Sequence, residues 1–379
     1  MELNNLKNSI LDELQHGNTA VAAKRSIDLA FHLKGHAPLR AKALEIANGQ
    51  NNANVESLLT GLVQQFTDLM ECEPIARVEP GKIMLGVTEI SKHYGMGGFT
   101  FKPASFNLLS GEMTGVVGQN GNGKTTLLRM LCGELMADSG TITYHGIEGK
   151  RDPYAIRQHV GFIPQRIPRW YGKLEDNLVF TLSGRGVAEE EIYYRVELML
   201  KRLGLYKYRN HLWTEISSGY RTRFELARVL LTQPGVLVLD EPLANLDIMA
   251  QQTFLQDLRF MVKTELHHMS VILSSQQLHE VEQVSDKVIF IKEGNCLFKG
   301  ETATMSSDVC VVEFIVANAA KAVGEAASTL NGTLKSEGNF YTLSVPVSVS
   351  LGKILQTLIS AGAEPTYFRD ITHSTKRLF

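Results

Sequence analysis

Cysteine is scarce: Cys72, Cys132, Cys296 and Cys310 are the four in a chain of 379 residues, far apart and without a CxxC pair. A disulfide scaffold or a zinc site normally brings cysteines close in sequence, so this spacing argues against both and predicts reduced thiols in a cytoplasmic setting. An excess of one charge is missing too. Lys plus Arg number 38 against 40 Asp plus Glu, a formal charge of −2, which leaves no bulk field to draw nucleic acid or anionic lipid. Long apolar runs are absent: a typical one, Val236 to Leu239, stops at Asp240, far short of the roughly 20 residues that cross a bilayer. Met1 to Ile10 is polar and carries Glu2 and Lys7, without the apolar core or cleavage site of an export signal. These absences predict a chain that is not exported and does not span a membrane by itself. What is present is ordinary for a globular protein, 44% apolar and 21% charged, so a sizeable core is expected, and the length suggests two or three domains.

Three regions follow from the patterning. Residues 1–78 place apolar side chains at helical spacing (Leu3, Leu6, Ile10, Leu11, Leu14), with Gly17 closing a first helix and Asn18 capping a second. Pro38 starts a third helix and Asn54 opens a fourth, predicting an N-terminal α-helical bundle without a chemical constellation; His16, His32 and His36 are read as surface residues. Cys72 to Gly81, with Pro74 and Pro80, reads as a linker. Residues 82–305 alternate short β-type runs with helical segments, the signature of an α/β domain with a largely parallel sheet. Residues 307–379 read strand, helix, strand, strand, helix, strand, with turns at Asn331-Gly332 and Glu337-Gly338-Asn339: the ferredoxin-like βαββαβ order. Its six acidic and six basic residues balance, which disfavours RNA binding and leaves docking or regulation as its expected role.

The chemistry is concentrated in the middle region. Gly118 to Thr125 read GQNGNGKT, a match to GxxxxGK[ST] set between an apolar strand and an apolar helix. Gly118, Gly121 and Gly123 let the backbone of Gln119, Asn120 and Asn122 curl so that N–H groups face phosphate oxygens, helped by the helix N-terminus at Thr125 and Thr126. Lys124 supplies a point charge for the β and γ phosphates of a nucleotide, and the Thr125 hydroxyl is placed to ligate Mg²⁺. The apolar run Val236 to Leu239 ends in Asp240-Glu241, two carboxylates at the strand edge where open parallel sheets bind ligands. Asp240 suits the hydrated Mg²⁺, and Glu241 suits the polarisation of an attacking water.

With these residues, the 83–305 stretch resembles the ATP-binding cassette of the ABC superfamily, which implies a P-loop NTPase core with a helical subdomain. Ile216-Ser217-Ser218-Gly219-Tyr220 is similar to the LSGGQ signature, and the resemblance implies that Ser217 and Gly219 bind the γ phosphate held by an opposite subunit. Ser218 and Tyr220 depart from that pattern. By the same resemblance Gln165 is the Q-loop glutamine that senses Mg²⁺, Tyr94 stacks on adenine, and Asn245-Leu246-Asp247 is the D-loop, with Asp247 organising a dimer contact. The family's switch histidine falls at Gln276, a neutral amide that can donate a hydrogen bond to phosphate but cannot shuttle a proton. Reduced hydrolysis is therefore expected, and Gln276 stands as either a γ-phosphate contact or a bystander; His279 is three residues away.

The resemblance implies an ATPase subunit of an ABC transporter, a homodimer closing around ATP to drive a separate transmembrane permease, peripheral at the inner face of the cell membrane and without a nucleic-acid partner. In that reading Arg166, Arg169, Trp170 and Tyr171 fall in the helical subdomain that meets the permease, although Trp170 and Tyr171 equally suit ordinary packing. Two alternatives stay open: a soluble ABC-type ATPase remodelling a cytoplasmic assembly, suggested by the flanking regions, and a nucleotide-gated module that scarcely hydrolyses ATP, suggested by Gln276.

Overall fold

The computed structural model describes residues 2–32, 37–48, 55–72, 81–95, 97–147, 152–244, 246–263, 269–277, 281–301, 309–316, 320–337 and 340–372. Residues 73–80 of the expected linker lie outside this set, as do Asn54, His36, Asn245, His279 and the Gly338-Asn339 turn. The chain divides into two compact units, Met1–Val284 with Ile289–Leu297, and Ser285–Val288 with Phe298–Phe379.

The first unit opens with four helices, α1 (Glu2–Gln15), α2 (Thr19–His32), α3 (Ala37–Asn48) and α4 (Val55–Cys72). Their apolar positions recur every three or four residues, so Ile10, Ile27, Ala43, Ile46 and Leu59 are fully buried. Asn18 takes a different part from the expected side-chain cap: its amide donates to Glu13, while its backbone carbonyl accepts from Val21 and Ala22.

Strands β1 (Ile83–His93), β2 (Thr100–Leu109), β3 (Met113–Val117), β4 (Ser139–Tyr144), β5 (Val160–Ile163), β6 (Val236–Leu239), β7 (Ser270–Ser275), β8 (Lys287–Lys292) and β9 (Asn295–Glu301) follow. They form two sheets. One is antiparallel, in the order β2-β1-β4, an arrangement that the alternating pattern does not foretell, because an antiparallel meander and a parallel strand look alike over so few residues. The other runs β5-β6-β7-β3-β8-β9, and β5, β6, β7 and β3 lie parallel. Burial on both faces explains why β3, β6 and β7 are continuous buried runs rather than alternating ones.

Helices α5 (Lys124–Leu131), α6 (Pro153–His159), α7 (Leu174–Ser183), α8 (Glu189–Arg202), α9 (Ser218–Leu231) and α10 (Ile248–Lys263) complete this unit. On α5, Leu127, Leu128 and Leu131 are fully buried against Val116, Val238 and Ile272, each stabilising the fold by about 1.5–3 kcal/mol and fixing where the helix begins. The N-terminal helices belong to the same unit, and ionic contacts through two buried arginines join them to it. Arg202, at the end of α8, donates to Asp28 of α2 at 2.8 Å and to Asp257 of α10 at 3.3 Å, and Arg40 of α3 pairs with Glu191 of α8 at 2.9 Å. Burial pulls the Arg202 pKa down, but the Asp28 carboxylate and then Asp257 outweigh it and hold the guanidinium above its ordinary value.

The second unit carries β10 (Val309–Val316), α11 (Ala320–Thr329), β11 (Thr333–Glu337), β12 (Phe340–Pro346), α12 (Leu351–Ser360) and β13 (Pro365–Asp370). Its antiparallel sheet has the order β11-β12-β10-β13, and Val312, Phe314, Leu343 and Val345 pack against Val323, Ile354 and Leu358 of the two helices.

Candidate active site

Strand β3 delivers the chain into the glycine-rich turn. Gly118 lies so close to β8 that a Cβ there would stand 2.4 Å from the Ile291 carbonyl oxygen, which only glycine permits. Gly123 has φ 104° and turns the chain into α5. The loop is pinned to the β8–β9 turn: the Gly294 N–H donates to the Asn122 carbonyl and the Glu293 N–H to the Asn122 side chain. Gln119, Asn120 and Gly121 remain exposed at the tip.

Four separate segments converge behind this loop. Lys124 is 4% exposed and donates to the Gly118 carbonyl at 2.7 Å, while its amine pairs with Glu241 Oε1 at 3.2 Å. The other oxygen of Glu241 accepts both Gln165 Nε2 at 2.8 Å and Gln276 Nε2 at 2.9 Å. Glu241 sits at φ 47°, a left-handed backbone that costs a non-glycine residue of order 1–3 kcal/mol and turns the carboxylate sharply off the end of β6. Ser274, at the end of β7, accounts for that geometry: its hydroxyl donates to Asp240 Oδ1 at 2.7 Å and accepts the Glu241 N–H at 2.9 Å. Asp240 Oδ2 accepts the Thr125 hydroxyl at 2.8 Å.

Ser274 is the residue that reading the sequence overlooks. Its signal was a hydroxyl at the end of a buried apolar strand parallel to the Asp240 strand, but strand order is needed to see the two ends together. The geometry also changes the reading of Gln276, whose amide holds Glu241 here.

The Thr125–Asp240 pair suits a magnesium ion. An octahedral Mg²⁺ with bonds of about 2.0–2.1 Å sets neighbouring ligand oxygens roughly 2.9 Å apart, close to the 2.8 Å between these two. Ser274 holds the carboxylate so that one oxygen is left for the ion.

Tyr94 is exposed beside this loop, its hydroxyl 3.4 Å from that of Thr126 and its ring 6.4 Å from Phe99. The turn beyond it requires Gly98, where a Cβ would fall 1.6 Å from the Tyr94 carbonyl oxygen. Ser217, Gly219 and Asp247 gather in another place. Ser217 is the N-cap of α9, and a Cβ on Gly219 would stand 3.0 Å from Leu246. Asp247 accepts the Ala250 N–H at 2.9 Å and so caps α10, an N-terminal position that its charge also favours. Tyr220 rests 4.4 Å from Tyr208, ring to ring, and Arg223 lies over it. Trp170 is a packing residue, edge-on to Phe224 and bonded through its indole N–H to buried Glu225, whereas Tyr171 is 79% exposed.

A charge-assisted bond from the Lys124 amine to a phosphate contributes about 1.5–3 kcal/mol. Lys124→Ala is therefore expected to weaken ATP binding about 10- to 100-fold in a calorimetric titration, and unchanged affinity would remove Lys124 from the phosphate site. Gln276→His puts an imidazole beside Glu241, and steady-state turnover is expected to stay level or rise. A fall of 100-fold or more would instead make the neutral amide essential to holding Glu241.

The sequence model of the family described as ABC transporter matches residues 101–244. The chain is 35% identical to the uncharacterized ABC transporter ATP-binding protein YxlF of Bacillus subtilis, over 58% of this chain and 71% of that one. A putative ABC transporter ATP-binding protein of Lactiplantibacillus plantarum is 27% identical over 73% of this chain, which spans about half of that relative's length, 49%. Among solved structures, cbiO1 from Clostridium perfringens, part of the ABC transporter complex cbiONQ, superposes with a TM-score of 0.53 at 30% identity, covering 58% of this chain and 88% of that one.

Proposed function

The chain belongs to the family of ABC transporter ATP-binding proteins, and from that premise we propose that it hydrolyses ATP, as a homodimer, to drive a separate membrane permease. The observation that carries the reading is the convergence on Glu241 of Lys124, Gln165 and Gln276. In this resting arrangement the base and the phosphate-binding lysine neutralise one another. A triphosphate in the glycine loop competes for Lys124, and Glu241 is then released to accept a proton from a water held by the two glutamine amides. Thr125 and Asp240 would hold Mg²⁺, which would neutralise charge on the phosphate oxygens. Tyr94 stacks on the adenine ring. Ser217 and Gly219, at the start of α9, offer backbone donors to the nucleotide of the second copy, and Asp247 with Leu246 forms the adjoining contact.

We read the C-terminal unit as ferredoxin-like and the four N-terminal helices as a bundle fixed to the helical subdomain. Among the described residues no helix is long and apolar enough to cross a membrane, so the span belongs to the partner in this reading. Phosphate release that depends on Mg²⁺ tests the chemistry. Purification from detergent-solubilised membranes tests the partner: a multispan protein is expected to accompany the chain, and recovery of soluble proteins only would overturn the transport reading.

A further inference from the structure

Away from the nucleotide loop, a cavity of about 170 Å³ opens where α2 meets α8, α9 and α10. Four cationic residues, Lys24, Lys201, Arg202 and Arg223, line it with one acidic residue, Asp257. The volume is far above the roughly 10–15 Å³ that admits one water.

The carboxylates at this seam are already committed. Arg202 takes Asp28 through Nε and Asp257 through Nη1, and Lys24 shares Asp257 at 3.4 Å. Lys201 turns its amine over the Tyr206 ring at 3.7 Å. Arg223 has no ion pair among the described residues. It crosses Gly204, with Nη1 3.6 Å from where a Cβ would stand, and rests over Tyr220 at 5.5 Å. Gathering these cations in a half-enclosed space raises their mutual repulsion, because water screens them less there.

We propose that this cavity binds a small phosphate-class anion, bridged by Arg223 of α9 and Lys24 of α2, and that the anion ties the N-terminal helices to the cassette. The planar guanidinium of Arg223 matches phosphate oxygens in a two-bond fork, and Lys24 adds a point charge from a different helix. With Glu197 acting on Lys201, three carboxylates (Asp28, Asp257 and Glu197) face four cations, and the anion supplies the charge that Arg223 still needs. Free pyrophosphate and the phosphate of a nucleoside monophosphate share this chemistry.

The test uses the full chain carrying Lys124→Ala, so that the glycine loop contributes little to anion binding. Inorganic pyrophosphate and AMP are titrated separately by calorimetry. One site is expected for at least one of them, weakened tenfold or more when Arg223→Gln is added and likewise when Lys24→Gln is added instead, with anion-free unfolding midpoints unchanged. Binding of pyrophosphate but not AMP assigns a free anion, and the reverse assigns a nucleotide. Absence of binding to both, or affinities that neither added substitution alters, would overturn the site. This outcome is independent of the transport reading, since ATP turnover by the unsubstituted chain is a separate measurement.

Discussion

Glu241→Gln is expected to slow ATP turnover by about 10²- to 10⁴-fold, the usual range for removing a general base. The substitution keeps the shape of the side chain and its place between Gln165 and Gln276, but not its basicity. It also removes the charge that Lys124 faces at 3.2 Å in the resting protein. With that competitor neutralised, Lys124 is freer for phosphate, so affinity for ATP should hold or tighten while turnover collapses. The combined signature is an ATP-bound dimer that persists through size-exclusion chromatography. Equal phosphate release by the two proteins would sink the hydrolysis reading, and weaker ATP binding by the variant would sink the competition between Glu241 and phosphate.

Asp28→Ala is expected to cost about 3–5 kcal/mol of folding stability, because it leaves the Arg202 guanidinium buried without its nearer counter-charge. Asp257 still faces Arg202 at 3.3 Å, which places the loss toward the lower end of that range. Replacing both partners, Asp28→Leu with Arg202→Met, should cost less than the single change, since no unpaired charge remains. Denaturant unfolding of the three proteins measures the order. A loss below about 1 kcal/mol for Asp28→Ala, the scale of an exposed ion pair, would show that α2 does not seal this seam.

Legibility in the sequence followed distance along the chain. The phosphate loop is contiguous: an apolar strand, glycines at the bends, Lys124 and Thr125 at a helix start, all within about one strand, one turn and one helix. The Asp240-Glu241 end of β6 is local in the same way, because a fully buried strand that stops at two acids advertises its own edge. The antiparallel β2-β1-β4 sheet was not legible, since β1 alone gives no hint of which strands flank it. Gln276 was ambiguous for a related reason: its partner, Glu241, is 35 residues away on a neighbouring strand end.

The sequence by itself determined the family and laid out the phosphate-loop pattern, through short motifs whose backbone conformation is set by glycine freedom and by apolar runs that must be buried. Tertiary structure decided what those residues do to one another. Parallel ordering of β6 beside β7 brings Ser274 to Asp240, and the turn at Glu241 brings Lys124, Gln165 and Gln276 to one carboxylate. Packing of α2 across α8 and α10 joins Asp28 to Arg202 over 174 positions and leaves Arg223 facing a cavity. Pairings of that kind depend on where low-dielectric interior excludes water, and burial is a property of the folded chain, not of any one segment.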